Sequence, residues 1–312
     1  MTSAGPVDLS VNIGALRFRN PIIAASGTFG YGAEFSHLVD LNKLGGFVTK
    51  GLSLTPIQGS PAPRVCETPS GMLNAVGLQN VGVRAFIAEK LPVLRNYDTH
   101  VIVNVFGYSP HDYAEVITVL ADAPRISAYE LNISCPNVKQ GGIQFGSDPA
   151  LVAQVVAVAK AAAQNRPLWV KLSPLVTDIR VIARAAEQAG ADALTVANTY
   201  PAMSLDTRIG KSRLGCPTGG LSGPAIRPIT LRLVWETSKA VNIPIIGLGG
   251  VEKVEHVLEY LMVGAAAVQV GTASFVSPAA TQSLANDLRK TLETNKSNNI
   301  SELIGSLGLK LD

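Results

Sequence analysis

Lys50, Lys171, Asn104, Asn132 and Asn198 share a setting: each closes a short apolar run and precedes a turn. An ammonium fixed there can stabilise negative charge developing on a bound group, a reduced flavin ring for example. A desolvated, neutral lysine would instead form a Schiff base with a carbonyl substrate, and residue type alone leaves both chemistries open. Asparagine offers an acceptor and two donors without charge. Asn74, Asn132, Asn137 and Asn198 around one pocket therefore suit a planar ligand with alternating carbonyl and N–H groups, as in pyrimidines and related cyclic amides. Cys135 directly follows the fourth run and opens the glycine-bearing stretch PNVKQGGIQFG. A thiol near a cation acts as a base at neutral pH. Cys66 and Cys216 have no such context and read as inert. Gly249–Gly250 and Gly271–Thr272 end the last two runs, where bare backbone N–H groups and a following helix N-terminus cradle an anion. A phosphorylated cofactor or substrate is implied.

The elements that must position these residues alternate. Apolar runs at 21–26, 46–50, 100–105, 128–134, 167–172, 192–198, 243–250 and 266–271 read as strands. Helical patterns at 81–95, 110–122, 148–164, 178–189, 224–240 and 252–263 lie between them, many opened by Asp, Ser, Pro or Glu. Eight such units predict an α/β fold, a (β/α)8 TIM barrel, and the doubly wound open sheet is the alternative. A small hairpin (Val7 to Asn12, Ala15 to Arg19) precedes the first unit. Two long βα insertions lie over the C-terminal face: 51–80, rich in Pro and Gly and read as a hairpin, and 199–223, read as a loop. No linker or low-complexity tract intervenes, so 1–312 reads as a single domain.

With 47% hydrophobic and 16% charged residues, the 312-residue chain is too apolar for a disordered or fibrous class and suits strands buried on both faces. Its formal charge of +3 is not gathered into a basic stripe, which argues against nucleic acid and anionic membranes as partners. The start MTSAGPVDLSVN lacks the pattern of a secretory signal, and a cytoplasmic location is expected. The uncharged stretch Leu261 to Asn286 is interrupted by polar residues and Pro278, and reads as a buried strand, a loop and a helix start rather than a membrane span. The three cysteines show no CxxC spacing, so no disulfide framework, zinc site or iron–sulfur site of this chain is expected.

ASGTFGYG (25–32), TKGLS (49–53), LNAVGLQN (73–80), ELNISCPNVKQGG (130–142), WVKLSP (169–174), TVANT (195–199), GGLSGP (219–224), IIGLGGV (245–251) and VQVGT (268–272) run through nearly the whole chain. Together they resemble the catalytic subunit of class 1B dihydroorotate dehydrogenases, and NISCPN with NAVGLQN in this order is the specific part. The resemblance implies an FMN-containing barrel that oxidises dihydroorotate to orotate in pyrimidine biosynthesis. It implies that Cys135 takes the proton from C5 while hydride leaves C6 for the flavin. Substrate would be held by Lys50, Asn74, Ala75, Val76, Gly77, Leu78, Asn132, Asn137, Asn198 and Thr199. FMN would be held by Ser26, Lys50, Gly51, Asn104, Asn132, Lys171, Val196, Gly223, Gly249, Gly250, Gly271 and Thr272, with Lys171 near the N1/O2 edge.

Quinone-reducing members of the family carry Ser in place of Cys135 and an N-terminal extension, and the homodimeric soluble class differs around NAVGLQN and SGTFGYG. This chain resembles the NAD-linked class, which implies a second subunit carrying FAD and a 2Fe–2S cluster, in a heterotetramer of two catalytic and two electron-transfer subunits. The alternatives are a dihydropyrimidine-dehydrogenase-like flavoenzyme, which shares NISCP but not NVKQGG, and a cofactor-free (β/α)8 lyase using Lys50 or Lys171 as Schiff base. A non-catalytic binding barrel would leave Cys135, Lys50 and the asparagine set without a purpose.

Overall fold

Runs rich in Val, Ile, Leu and Ala can bury both faces of a strand only where helices cover one side and a packed interior the other. In the computed structural model, which describes residues 7–133, 145–295 and 299–308, every one of the eight runs does so. The chain begins with β1 (Val11–Ile13) and β2 (Leu16–Phe18), an antiparallel hairpin, then lays down β3 (Ile22–Ala24) and β4 (Gly46–Val48). Outside the barrel follow β5 (Val65–Thr68) and β6 (Gly71–Asn74). Next come β7 (His100–Val105), β8 (Ile126–Asn132), β9 (Leu168–Lys171) and β10 (Ala193–Val196). A second excursion holds β11 (Tyr200–Ala202), β12 (Leu205–Asp206), β13 (Lys211–Ser212) and β14 (Gly219–Ser222), before β15 (Ile245–Leu248) and β16 (Ala267–Val270). All neighbours around the ring are parallel, and β16 pairs with β3 to close it, which excludes the open doubly wound sheet.

The helices are α1 (Val83–Ala85), continued through a π-helical Phe86–Lys90 into α2 (Leu91–Leu94), then α3 (Pro110–Leu120), α4 (Pro149–Ala163) and α5 (Ile179–Gln188). After them come α6 (Arg227–Ser238), α7 (Val254–Met262), α8 (Ala273–Val276) and α9 (Ala280–Thr294). Their starts follow the capping chemistry in the sequence. Ser109 and Asp112 form a reciprocal capping box on α3, while the carboxylates of Asp148 and Asp178 accept first-turn N–H bonds of α4 and α5. The first unit departs from the pattern, since only short 3-10 turns at Ala33–Phe35 and Leu41–Lys43 separate β3 from β4. Leu261 to Asn286 holds the end of α7, β16, α8 and the start of α9. No helix among the described residues is long and apolar enough to cross a membrane.

The insertion 51–80 contains the expected hairpin, β5 with β6. The insertion 199–223 is more ordered than the loop its Gly and Pro content suggests: β14 pairs with both β6 and β11, so the two insertions share one four-stranded antiparallel sheet. Its glycines are where strands meet closely; a Cβ on Gly71 would sit 2.1 Å from the carbonyl oxygen of Ser222. The opposite end of the barrel is stoppered by the N-terminal hairpin, whose buried Phe18 ring lies 4.4 Å from that of His100 and 5.9 Å from that of Trp169.

Candidate active site

Side chains alternate along a strand, so two polar residues spaced by two share a face. Glu130 and Asn132 of β8 are such a pair, and Glu130 is fully buried inside the barrel. Its Oε1 accepts from Asn104 Nδ2 at 2.8 Å, and its Oε2 from Thr195 Oγ1 and Gln269 Nε2, both at 2.7 Å. The network fixes the Asn104 amide, whose Oδ1 is buried without a partner among the described residues. Glu130 escaped the sequence reading because it lies inside a run; its spacing to Asn132 was the available signal.

Above this network a cavity of about 330 Å³ opens at the C-terminal ends of the strands. Ser26 reaches it after β3, Lys50 and Gly51 after β4, Asn104 from β7, Asn132 from β8 and Lys171 from β9. Asn198 and Thr199 enter after β10, Gly249 and Gly250 after β15, and Gly271 and Thr272 after β16. The insertions cover the mouth with Asn74, Ala75, Val76, Gly77, Leu78 and Gly223. Val196 does not line it: Thr195 points into the barrel toward Glu130, so the next side chain faces the helices, and Ala197 takes the position at the wall instead. The Val196–Ala197 peptide is cis. Cys135 and Asn137 lie outside the described residues.

The polar groups form local chains. Asn198 Nδ2 donates to Asn132 Oδ1 at 3.4 Å, and its own Oδ1 accepts from the Thr199 N–H at 2.8 Å. Asn74 Nδ2 donates to the carbonyl of Gly220, tying hairpin to second insertion. Leu78 sits at φ 56°, a left-handed conformation an L residue adopts at a cost and one that concentrates at functional sites. Lys50 Nζ donates to Gln79 Oε1 at 3.3 Å, which also accepts from Arg64 Nη1 at 3.0 Å. Burial, and then the Arg64 cation, push the Lys50 ammonium below its ordinary value, with Glu34 working the other way. Gln79 and Gly220 were not singled out in the sequence, because Gln79 acts through Lys50 and Arg64 and Gly220 through Asn74 of the other insertion, contacts that only the fold creates.

The residues present fit a flavin mononucleotide. The orphaned Asn104 Oδ1 is an acceptor matched to a ring N–H, and two lysines supply cations. Gly223, Gly249 and Gly250 have φ of 95°, 156° and 66°. A Cβ on Gly250 would lie 2.7 Å from the Gly223 carbonyl oxygen, so these loops approach backbone to backbone as a phosphate cradle requires.

A family model described as dihydroorotate dehydrogenase matches residues 8–292. The "dihydroorotate dehydrogenase B (NAD(+)), catalytic subunit" of Pelobacter propionicus is 54% identical over 96% of this chain and 98% of its own. A protein of the same name from Trichlorobacter lovleyi is 56% identical over the same shares. One from Solibacter usitatus, provisionally named "dihydroorotate dehydrogenase A (fumarate)", is 53% identical, again over 96% and 98%. The chain belongs to the dihydroorotate dehydrogenase family.

Proposed function

We propose that this chain oxidises dihydroorotate to orotate in pyrimidine biosynthesis, with FMN held in the cavity at the strand ends. The observation that carries this reading is the meeting, in one mouth, of a glycine phosphate cradle, two lysines and an asparagine set suited to a pyrimidine ring. FMN, when bound, supplies the acceptor for the hydride that leaves C6. Asn74, Asn132, Asn137, Asn198 and Thr199 hold the substrate carbonyls and N–H groups, with the backbone of 75–78 closing over them. Cys135 takes the C5 proton on its sulfur. Lys50 and Lys171 supply positive charge beside the ring system, Asn104 orients it, and Ser26, Gly51, Gly223, Gly249, Gly250, Gly271 and Thr272 secure the remainder.

The relatives named as catalytic subunits support a partner that carries electrons onward. We assign it FAD and a 2Fe–2S cluster in a heterotetramer of two catalytic and two electron-transfer subunits, working in the cytoplasm with NAD as final acceptor. The Solibacter relative's name keeps fumarate as the second acceptor to assay. The purified chain should be yellow, release one FMN on heat denaturation, and bleach on anaerobic addition of dihydroorotate. Release of FAD, or of no flavin, would overturn the cofactor assignment. A colourless protein trapped by borohydride with a carbonyl substrate would favour the lyase.

A further inference from the structure

A second cavity, of about 380 Å³, lies at the opposite end of the barrel, beneath the N-terminal hairpin and far from the strand ends that bear the catalytic residues. It lies between residues 17–19, Gly45 and the starts of β7 and β8. Three arginines line it, Arg17, Arg19 and Arg125, against one carboxylate, Asp98. Asp98 is taken by Arg19, whose Nη2 donates to its Oδ2 at 2.7 Å and to its backbone carbonyl at 2.6 Å. Arg17 gives its Nη2 to Ser10 Oγ at 3.0 Å, with Asp8 at 3.8 Å outside the cavity, and Arg125 gives its Nη2 to the Tyr97 carbonyl. Each guanidinium has five N–H donors in a planar fork, so each retains donors after these contacts.

Three further features mark this wall. Thr99 lines the cavity at 8% exposure, and its Oγ1 is buried with no partner among the described residues. Arg125 has φ 70°, a left-handed conformation unfavourable for a long side chain and retained only where the surroundings impose it. The β7–β8 register shifts at Val101/Ile102, skipping Ser127, as bulges do where a side chain is re-aimed. His100 is fixed as well: its Nε2 lies 2.9 Å from the Arg17 carbonyl, which can only accept, so Nε2 carries a hydrogen, while Nδ1 lies 3.0 Å from Ser127 Oγ.

We propose that this floor cavity binds a dianionic oxyanion of the phosphate class, clasped by the forks of Arg17, Arg19 and Arg125. Guanidinium forks match the geometry of phosphate oxygens, and the excess of cations over carboxylates selects a dianion over a neutral ligand.

Calorimetric titration of the flavin-loaded, orotate-saturated enzyme tests this at constant ionic strength, with inorganic phosphate in one arm and ribose 5-phosphate in the other. One equivalent per chain should bind with a dissociation constant of about 1 mM or below. Tighter binding of ribose 5-phosphate identifies an organic phosphate as the source, and equal binding identifies the free anion. The Arg17→Gln/Arg125→Gln double variant should bind at least about tenfold more weakly, two charge-assisted contacts being lost, with dihydroorotate turnover unchanged. In the wild-type enzyme, the NMR resonance of the His100 Nε2–H should shift in step with saturation, a readout independent of whether the variant folds. Heats that track ionic strength without saturating, a variant with wild-type affinity, or an unmoved His100 resonance would each overturn the proposal.

Discussion

At the scale of single residues, the chemistry divides between groups that touch ligands and groups that hold those in place. Cys135→Ala should lower turnover by about 10²–10⁴-fold, the usual contribution of a positioned base, while orotate affinity measured by flavin absorbance stays near wild type. Cys135→Ser should keep partial activity that improves at higher pH; wild-type flavin reduction by Cys135→Ala would move the base elsewhere. Glu130→Ala removes the shared acceptor of Asn104, Thr195 and Gln269 in a fully buried place. Leaving a buried neutral polar group without its acceptor costs about 1–3 kcal/mol, readable as a lower denaturation midpoint together with weaker flavin retention. Lys50 gives a pH dependence with a definite sign. Its ammonium is disfavoured in the fold, so between the depressed value and the ordinary 10.5 the unfolded chain binds more protons on this residue than the folded one. Stability of the cofactor-free protein therefore rises with pH across that interval. Lys50→Met should flatten this slope and raise the midpoint at neutral pH, while cutting turnover by about 10²-fold or more. Chemical denaturation at several pH values checks the first two, and a slope unchanged by the substitution would refute the assignment. Lysines and asparagines at strand ends were legible in the sequence because the barrel dictates which end is catalytic. Glu130 was not, because a carboxyl inside an apolar run declares its purpose only once its three partners, from three other strands, are beside it.

Among the elements, the eight strands and six helical segments were readable from local periodicity, and the capping residues placed the helix starts. The four-stranded sheet over the mouth was not. Its decisive pairing, β14 with β6, joins Gly220 to Asn74 across four of the eight barrel strands, and no local pattern encodes such a partner. The glycines of 199–223 read as loop residues because they allow close approach, and close approach is what this sheet needs. A Cβ on Gly220 would lie 2.1 Å from Thr199 Oγ1 and 2.8 Å from Thr199 Cβ. Gly220→Ala should therefore displace Thr199 and lower kcat/KM by about 10²-fold, a misplacement of the order of an ångström sufficing for that. The sheet stands outside the barrel wall with its own small cluster of Leu73, Ala75 and Leu214, so the melting temperature should change little. A kcat/KM equal to wild type would show that Thr199 has no part in holding substrate.

For the whole molecule, no G-x-G-x-x-G after a strand offers a dinucleotide site, and the proposed flavin and substrate sites take up the mouth. The chain alone should reduce artificial dyes with dihydroorotate but not NAD, and adding the electron-transfer subunit should restore NAD reduction. Steady NAD reduction by the chain alone would contradict the two-subunit reading, and reduction of fumarate by the chain alone would place it with the other acceptor class. The closure of the ring bears on biosynthesis as well. Val268 of β16 pairs with Ile22 of β3, so the seam joins the first barrel strand to the last. A chain leaving the ribosome N-terminus first carries β3 as an open edge until β16 has been made, and so distant a contact is slow to form. Ser26 follows one side of that seam and Gly271–Thr272 the other, so the two halves of the proposed cofactor cradle come together only when it shuts. Flavin uptake at the proposed cradle should therefore follow closure of this seam, and the appearance of colour in a nascent chain would time that closure.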